Sequence, residues 1–403
     1  MRIKCITNNL FLVLMVLSFV SCLNDDVYDP NSAQGTGNLV VPSDFDWATT
    51  YVATCGITSP VNTKISIYSN KTCKDDQLLA EVCLVKNETT EVTLDVPAAC
   101  QALYVQYPAV NGTDLLEVTP QPGTRASSAN ITLPEDAIEV ENDKNAYETN
   151  YYMPAKNTYG TILFEDLFPA KGDYDFNDYV AGYNVQVMNT QGSIPNNRDG
   201  IVVKLQIRAI GGTLPYLLGF ELTPLQTKYV KDNFTITSGM NGISMELIST
   251  NDDDPAVFIV KGTSVLKDGA YYNTETLSVT PMPEITCSII RDNKNDPQAA
   301  AQFSNLISST NLNFFLQNSS TKEEIHLKGY GVTKYATNTN TTFCTADNFV
   351  WGMKIPALIP HAIEKTDITE AYPNFAGWVT SGGTQNTDWY NTYTESKVIH
   401  PGN

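Results

Sequence analysis

Between residues 41 and 120 apolar and polar positions alternate with a period of two. The runs are rich in β-branched and aromatic residues: Thr49-Tyr51-Ala53, Ile65-Ile67, Val92-Leu94-Val96 and Leu103-Val105-Tyr107. Period two is the signature of a strand with one face buried, because successive side chains point to opposite faces. Turn residues separate the runs about every ten positions, which predicts a small β-sandwich. Over 121–150 the pattern fades into Pro, Ser, Asn and acidic residues, from Gln121-Pro122-Gly123 to Glu139–Asp143. That composition predicts a linker, with Ile131-Thr132-Leu133 as a lone strand at most.

The alternation returns from residue 151 and persists to 403. Ile201, Val203, Leu205, Ile207 and Ala209 alternate with Lys204, Gln206 and Arg208, and Tyr183, Val185 and Val187 do the same. Gly219–Leu222 and Val257–Val260 read as further strands. The fold class is therefore all-β, the small N-terminal sandwich being followed by a larger, jelly-roll-like one over 151–403. Two short helices are expected. One covers Asp296–Ile307, with Asp296 as N-cap and Pro297 in the first turn; the other covers Asp367–Tyr372.

The N-terminus breaks the β pattern. Arg2 and Lys4 precede an apolar run, Leu10–Val20, that is too short for a comfortable membrane span, and Phe19-Val20-Ser21-Cys22 closes it. A small residue before a Cys at this depth resembles the lipobox of bacterial lipoproteins, although Phe19 stands where Leu is usual. Residues 1–21 are then a signal peptide and Cys22 is the lipidated first residue. Residues 22–40 form a disordered tether. Asp25 and Asp26 soon after Cys22 resemble the surface-export signal of certain Gram-negative lipoproteins. The expected partner at this end is outer-membrane lipid, with the body of the protein facing the cell exterior.

The chain carries 25 basic and 44 acidic residues, a net charge of −19. Losing Arg2 and Lys4 with the signal peptide makes the mature chain more negative still. Nucleic acid is excluded as a partner by repulsion; cations and neutral ligands such as glycans fit better. Of eight cysteines, Cys5 leaves with the signal peptide and Cys22 carries lipid. The remaining Cys55, Cys73, Cys83, Cys100, Cys287 and Cys344 suggest two bridges in the N-terminal module, of open connectivity, and a Cys287–Cys344 bridge in the main domain. Zinc is disfavoured, since no Cys-x-x-Cys occurs and His326, His361 and His400 are scattered.

The densest chemistry lies in Phe164–Tyr179. Glu165, Asp166, Asp173, Asp175 and Asp178 with Asn177 place five carboxylates and a carboxamide within fourteen residues. Calcium takes six to eight oxygen ligands in irregular geometry. The i, i+2, i+4 spacing of Asp173, Asp175 and Asn177 suits a curled loop closing on one ion, with a bend expected at Lys171-Gly172. Asp178 adds a ligand from the far side, and Glu165 or Asp166 adds one from the preceding strand. An EF-hand is ruled out: Asp178 occupies the position that needs Gly and Asn184 the position that needs Glu. Without a cation, carboxylates this close would raise one another's pKa.

Phe164-Glu165-Asp166 followed by Gly172–Val180 resembles the opening motif of the LruC-domain lipoproteins. Arg208–Gly211 leading to Gly219-Phe220, Trp351–Pro356, and Ile368–Phe375 through Trp378 to Ser381-Gly382-Gly383 and Asp388-Trp389-Tyr390 resemble later segments of that family, over about 150–395. Leu218 departs from the polar residue expected before Gly219. The resemblance implies an exported, outer-membrane-associated all-β lipoprotein without established catalysis. The acidic motif is also similar to that of secreted calcium-dependent adhesion modules, which carries Asp173, Asp175, Asn177 and Asp178 over as calcium ligands.

Other constellations are weaker. Asn251–Pro255 reads as a solvated hairpin turn. Trp389 and Tyr390 are a candidate ligand platform for sugar rings, or else a cover for the core. Thr124-Arg125-Ala126 reads as ordinary exposed linker, with nicking by an Arg-specific protease as the alternative. No Gly-x-Ser-x-Gly or His-Glu-x-x-His occurs, and paired carboxylates for glycoside hydrolysis are neither indicated nor excluded by spacing. The expected function is a surface-anchored, calcium-binding, non-catalytic lipoprotein acting in adhesion or ligand binding. The alternative is a glycan-binding accessory lipoprotein of a polysaccharide-uptake system.

Overall fold

The period-two segments become strands. The computed structural model describes residues 35–120, 126–140, 148–190, 198–269, 271–275, 282–292, 296–306, 311–339 and 342–400. The N-terminal part holds β1 (Thr50–Thr58), β2 (Thr63–Tyr68), β3 (Leu78–Leu84), β4 (Thr89–Pro97), β5 (Leu103–Ala109), β6 (Gly112–Val118) and β7 (Ala126–Thr132). β8 (Glu148–Met153), β9 (Gly160–Phe164), β10 (Tyr179–Thr190), β11 (Arg198–Ala209) and β12 (Tyr216–Gln226) follow. Then come β13 (Phe234–Ser238), β14 (Ser244–Leu247), β15 (Pro255–Lys261) and β16 (Glu284–Asp292). After helix α1 (Pro297–Asn305) lie β17 (Leu312–Asn318), β18 (Glu324–His326), β19 (Gly352–Ile355) and β20 (His361–Ala362). Helices α2 (Ile368–Ala371) and α3 (Phe375–Thr380) and strand β21 (Val398–Ile399) complete the order.

One eleven-stranded sheet runs through the molecule in the order β13-β16-β11-β10-β8-β3-β2-β5-β6, with β9 pairing β10 and β19. A five-stranded sheet, β14-β15-β12-β17-β18, and a three-stranded sheet, β4-β1-β7, cover it. The result is an all-β sandwich. The two halves expected from sequence are joined inside a sheet, where β3 pairs β8 through Ala80–Tyr151 and Glu81–Asn150. One core cluster takes in Val105 and Ile131 as well as Val203 and Phe258. The span 121–150 is accordingly more than a linker. Residues Ala126–Thr132 lie parallel to β1 with Ile131 opposite Ile57, and Ile131 and Leu133 are buried. The Ala-Ser-Ser-Ala-Asn stretch before Ile131 hides this strand because its small polar residues break the alternation. Gln121–Arg125, including the candidate nicking site, lies outside the described residues, as do the signal peptide, Cys22 and the tether up to residue 34.

Both helices form where expected. Asp296 caps α1 by accepting from Ala299 N at 3.1 Å, and Asp367 caps α2 by accepting from Thr369 N at 2.8 Å. Asp367 also ties down the N-terminal segment, accepting from Thr36 N at 2.6 Å and Thr36 Oγ1 at 2.8 Å. A second core cluster lies here, with Phe45 and Trp47 packed on Phe375 and Trp378.

The expected disulfides do not form. All six cysteines in the described residues are free thiols. Even spacing in sequence does not bring them together. Cys55 and Cys287 face the main core from different sheets, Cys344 packs on the second cluster, and Cys73 packs beside Tyr68. Burial pushes the thiols of Cys55 and Cys83 up to about 11 and that of Cys287 up to about 12, which makes them poor nucleophiles in the native state. Alkylation under denaturing conditions without reductant, read by mass spectrometry, is expected to modify all six. Modification of four or fewer would show a bridge.

Candidate acidic ion site

Glu165 follows β9 directly, its N–H held by Trp351 O at 2.8 Å. Its side chain is fully buried. Glu165 Oε1 accepts from Phe176 N at 2.7 Å, whereas Oε2 has no hydrogen-bond partner among the described residues. Gly172 makes room for that oxygen, since a Cβ there would collide with it. One oxygen each from Glu165, Asp173 and Asp175 lie within 4.8 Å of one another. The loop curls at Tyr174 and Phe176, both left-handed at φ 61° and 54°, rather than at Lys171-Gly172. Such a conformation costs a non-glycine residue about 1–2 kcal/mol. Burial of both rings in the second cluster offsets it, with Tyr174 against Phe176 and Phe349 at 6.1 and 5.5 Å between ring centres.

Asp175 is held rigidly, Oδ1 accepting from Asn177 N at 2.9 Å and Oδ2 from Asn177 Nδ2 at 2.7 Å and Lys365 N at 2.8 Å. Asn177 Nδ2 also donates to Ala362 O at 3.2 Å. These two acceptors fix the amide orientation, since a flipped amide would set its oxygen against a carboxylate and a carbonyl. Asn177 Oδ1 therefore points the other way, toward Gly211, buried and without a partner among the described residues. Two of the family-implied ligands thus divide their roles: Asp175 faces Glu165 and Asp173, while Asn177 braces Asp175 and offers its oxygen beyond.

Asp166 and Asp178 are not part of the three-carboxylate cluster. Asp178 Oδ2 accepts from Asp166 N at 2.7 Å, and Asp166 Oδ2 accepts from Leu214 N at 3.2 Å. They shape the turn around Gly212, where a Cβ would strike Asp166. Of the two alternatives left open by the sequence, the structure brings Glu165 rather than Asp166 to the cluster. Sequence reasoning missed Glu364, whose Oε2 lies 3.0 Å from where a Cβ on Gly211 would stand. It comes from 186 residues beyond Asp178, and nothing local marks it. Lys267, half-buried, donates to Gly212 O at 2.5 Å and supplies positive charge on the Asp166–Asp178 side.

The electrostatics follow from this crowding. Burial, then Asp173, raises the Glu165 pKa well above its ordinary 4.5, and burial, Asp173, Glu165 and Glu364 raise that of Asp175 above 3.8. Burial and Asp166 raise that of Asp178. A hard cation would remove the penalty by compensating the charge. The oxygen-only donor set and the partnerless Glu165 Oε2 fit calcium.

The remaining sequence candidates fall elsewhere. Trp389 is 0% and Tyr390 5% exposed. Trp389 packs edge-on to Tyr372 and Phe375 at 5.2 and 4.9 Å, so the pair covers the core and presents no ligand platform. Asn251–Pro255 links β14 to β15 as a turn, its Asp252 and Asp253 paired with Lys231 and Lys228 at 2.7 and 3.0 Å. No helix among the described residues is long and apolar enough to cross a membrane.

Two family models match parts of the chain. A domain of unknown function (DUF4842) covers residues 198–390, and another (DUF4841) covers 63–133. The acidic loop lies outside both, and the LruC resemblance has no family match of its own. No curated protein matches the chain. A crystal structure of a candidate lipoprotein from Bacteroides ovatus is 24% identical, covers 85% of this chain and 100% of its own, and superposes with a TM-score of 0.68. The major pilin of Bacillus cereus aligns over 69% of this chain and 66% of its own, at 9% identity and a TM-score of 0.19, too low to bear on the fold. The fold of this chain is that of the Bacteroides ovatus protein.

Proposed function

We propose that the chain is a lipid-anchored lipoprotein, facing outward from the outer membrane, whose acidic loop holds a calcium ion and which acts by binding rather than by catalysis, in adhesion or ligand capture. The observation that carries the calcium reading is the Glu165 carboxylate, fully buried with Oε2 lacking any donor beside Asp173 and Asp175. Glu165, Asp173 and Asp175 would be the side-chain ligands, with Asn177 orienting Asp175. The anchor reading is supported by Ser21-Cys22 in the sequence, by the LruC resemblance, and by a structural neighbour described as a candidate lipoprotein.

Calcium here would organise the fold. The loop holds α2 through Ile368 N to Tyr174 O at 2.9 Å, and Lys365 and Ala362 through Asp175 and Asn177. An ion fixing the loop thereby fixes the C-terminal segment. The glycan reading loses Trp389 and Tyr390 and needs a different surface.

Affinity is expected at about 10⁻⁴–10⁻³ M, the range of extracellular modules. Calcium at tenfold above its Kd should then stabilise the fold by about 1.4 kcal/mol. Thermal melting in EDTA and in calcium checks this, and equal midpoints would refute it. Glu165→Gln separates the ion from the fold. Because the folded pKa of Glu165 is raised, the native state binds a proton that the unfolded chain releases. The metal-free fold therefore loses stability as pH rises from the ordinary value of 4.5 through the raised one. Removing that charge should raise the EDTA melting point, by more at higher pH, and abolish the calcium shift. A melting point lowered in EDTA at neutral pH would contradict this account of Glu165. For the anchor, Cys22→Ser should move the protein from the membrane to the soluble fraction; unchanged membrane retention would argue against lipidation.

A further inference from the structure

A cavity of about 820 Å³ opens between four parts of the chain far apart in sequence. They are the segment before and into β1, the turn after β18, the residues around Phe343, and the Gly382–Thr384 turn, with β19 as the floor. Its size lies within the roughly 300–1,000 Å³ usual for small-molecule sites. We propose that this cavity binds a neutral, hydroxyl-rich ligand, a short glycan.

Three observations carry the assignment. First, β4 and β19 place a carboxylate and an ammonium together on the cavity lining, Lys354 Nζ standing 3.4 Å from Asp95 Oδ2. The Asp95 side chain is 2% exposed, and its Oδ1 has no hydrogen-bond partner among the described residues. Lys354 has three N–H donors, and among the described residues Asp95 is the acceptor paired with it. An unmet acceptor beside spare donors matches a hydroxyl, which accepts from one and donates to the other. A bare cation or anion would satisfy only half of the pair.

Second, the ionisable lining cancels. Asp46 and Asp95 oppose Lys328 and Lys354, in a chain whose net charge is −19. The site therefore selects against net charge in its occupant. Third, aromatic rings line it: Tyr51 and Tyr330 are half-buried at the walls, and Trp47 and Phe343 lie deeper. Ring faces beside a few placed polar groups accommodate the C–H faces and hydroxyl edges of a sugar. Lys354 stays charged there: burial would lower its pKa, but Asp95, Tyr183 and Tyr330 outweigh it and raise the value.

The site is separate from the calcium cluster. Its test is calorimetric titration of the purified protein, in calcium, with neutral trisaccharides (xylotriose, mannotriose, cellotriose, maltotriose), with an anionic galacturonate trimer and with a cationic glucosamine trimer. At least one neutral trisaccharide is expected to bind at millimolar Kd or tighter, and the charged probes are not. Gly331→Trp places a ring in the cavity where a Cβ meets no atom within 4 Å, so the fold should keep its melting point while affinity falls at least tenfold. Asp95→Asn should weaken binding in the same direction. Binding by none of the neutral trisaccharides, binding unchanged in Gly331→Trp, or a preference for the charged probes would each overturn the proposal. Repeating the titration with Glu165→Gln in calcium separates the two sites: retained glycan binding supports an independent cavity, and its loss would overturn that independence.

Discussion

The constraint on which the acidic loop depends is the cost of burying negative charge. Glu165 and Asp175 are taken out of water beside Asp173; burial and Asp173 raise the pKa of both, and Glu165 raises that of Asp175 further. A buried ion without compensation costs several kcal/mol even after relaxation. The chain nevertheless builds the cluster with care. It accepts two left-handed aromatic residues, keeps Gly172 beside Glu165 and Gly211 beside Asn177, and spends backbone N–H groups of Phe176, Asn177 and Lys365 on the carboxylates. On the reading proposed above, a cation received by these oxygens would explain such construction.

The loop also sits at a junction. It leaves β9 and enters β10, a strand that is central to the eleven-stranded sheet, and its other side holds the helical C-terminal segment. That segment in turn is clasped to the N-terminal one by Asp367–Thr36 and by Phe45 and Trp47 on Trp378. Ordering the loop therefore orders the contacts between the Thr36–Trp47 segment and the Asp367–Trp378 segment.

Much of this was legible in the sequence because periodicity maps directly onto burial. Ile201–Ile207 and Leu103–Tyr107 alternate in the sequence and alternate in the sheet, whereas Arg208, polar in the pattern, is buried at 1% exposure. Asp296-Pro297 marks a helix start because capping is local. The rest was hidden for equally physical reasons. Cysteine spacing says nothing about Cβ vectors, so six thiols looked like three bridges. Strand β7 is built from Ala, Ser and Asn and owes its place to pairing with β1. The acidic run was visible as a cluster of carboxylates, but its division was not, because alternate left-handed residues turn Asp173 and Asp175 inward and leave Asp166 and Asp178 on the turn at Gly212. Glu364 acts on Asp175 from 189 positions away and Lys354 meets Asp95 from 259 positions away, beyond any local pattern.

The most direct measurement of the central claim is a crystal structure of the protein grown in calcium. The account predicts an ion bound by Glu165 Oε2, Asp173 and Asp175, with Asn177 still donating to Asp175. A structure in saturating calcium with no ion there, and a protonated Glu165 or an ordered water taking up Oε2, would contradict it.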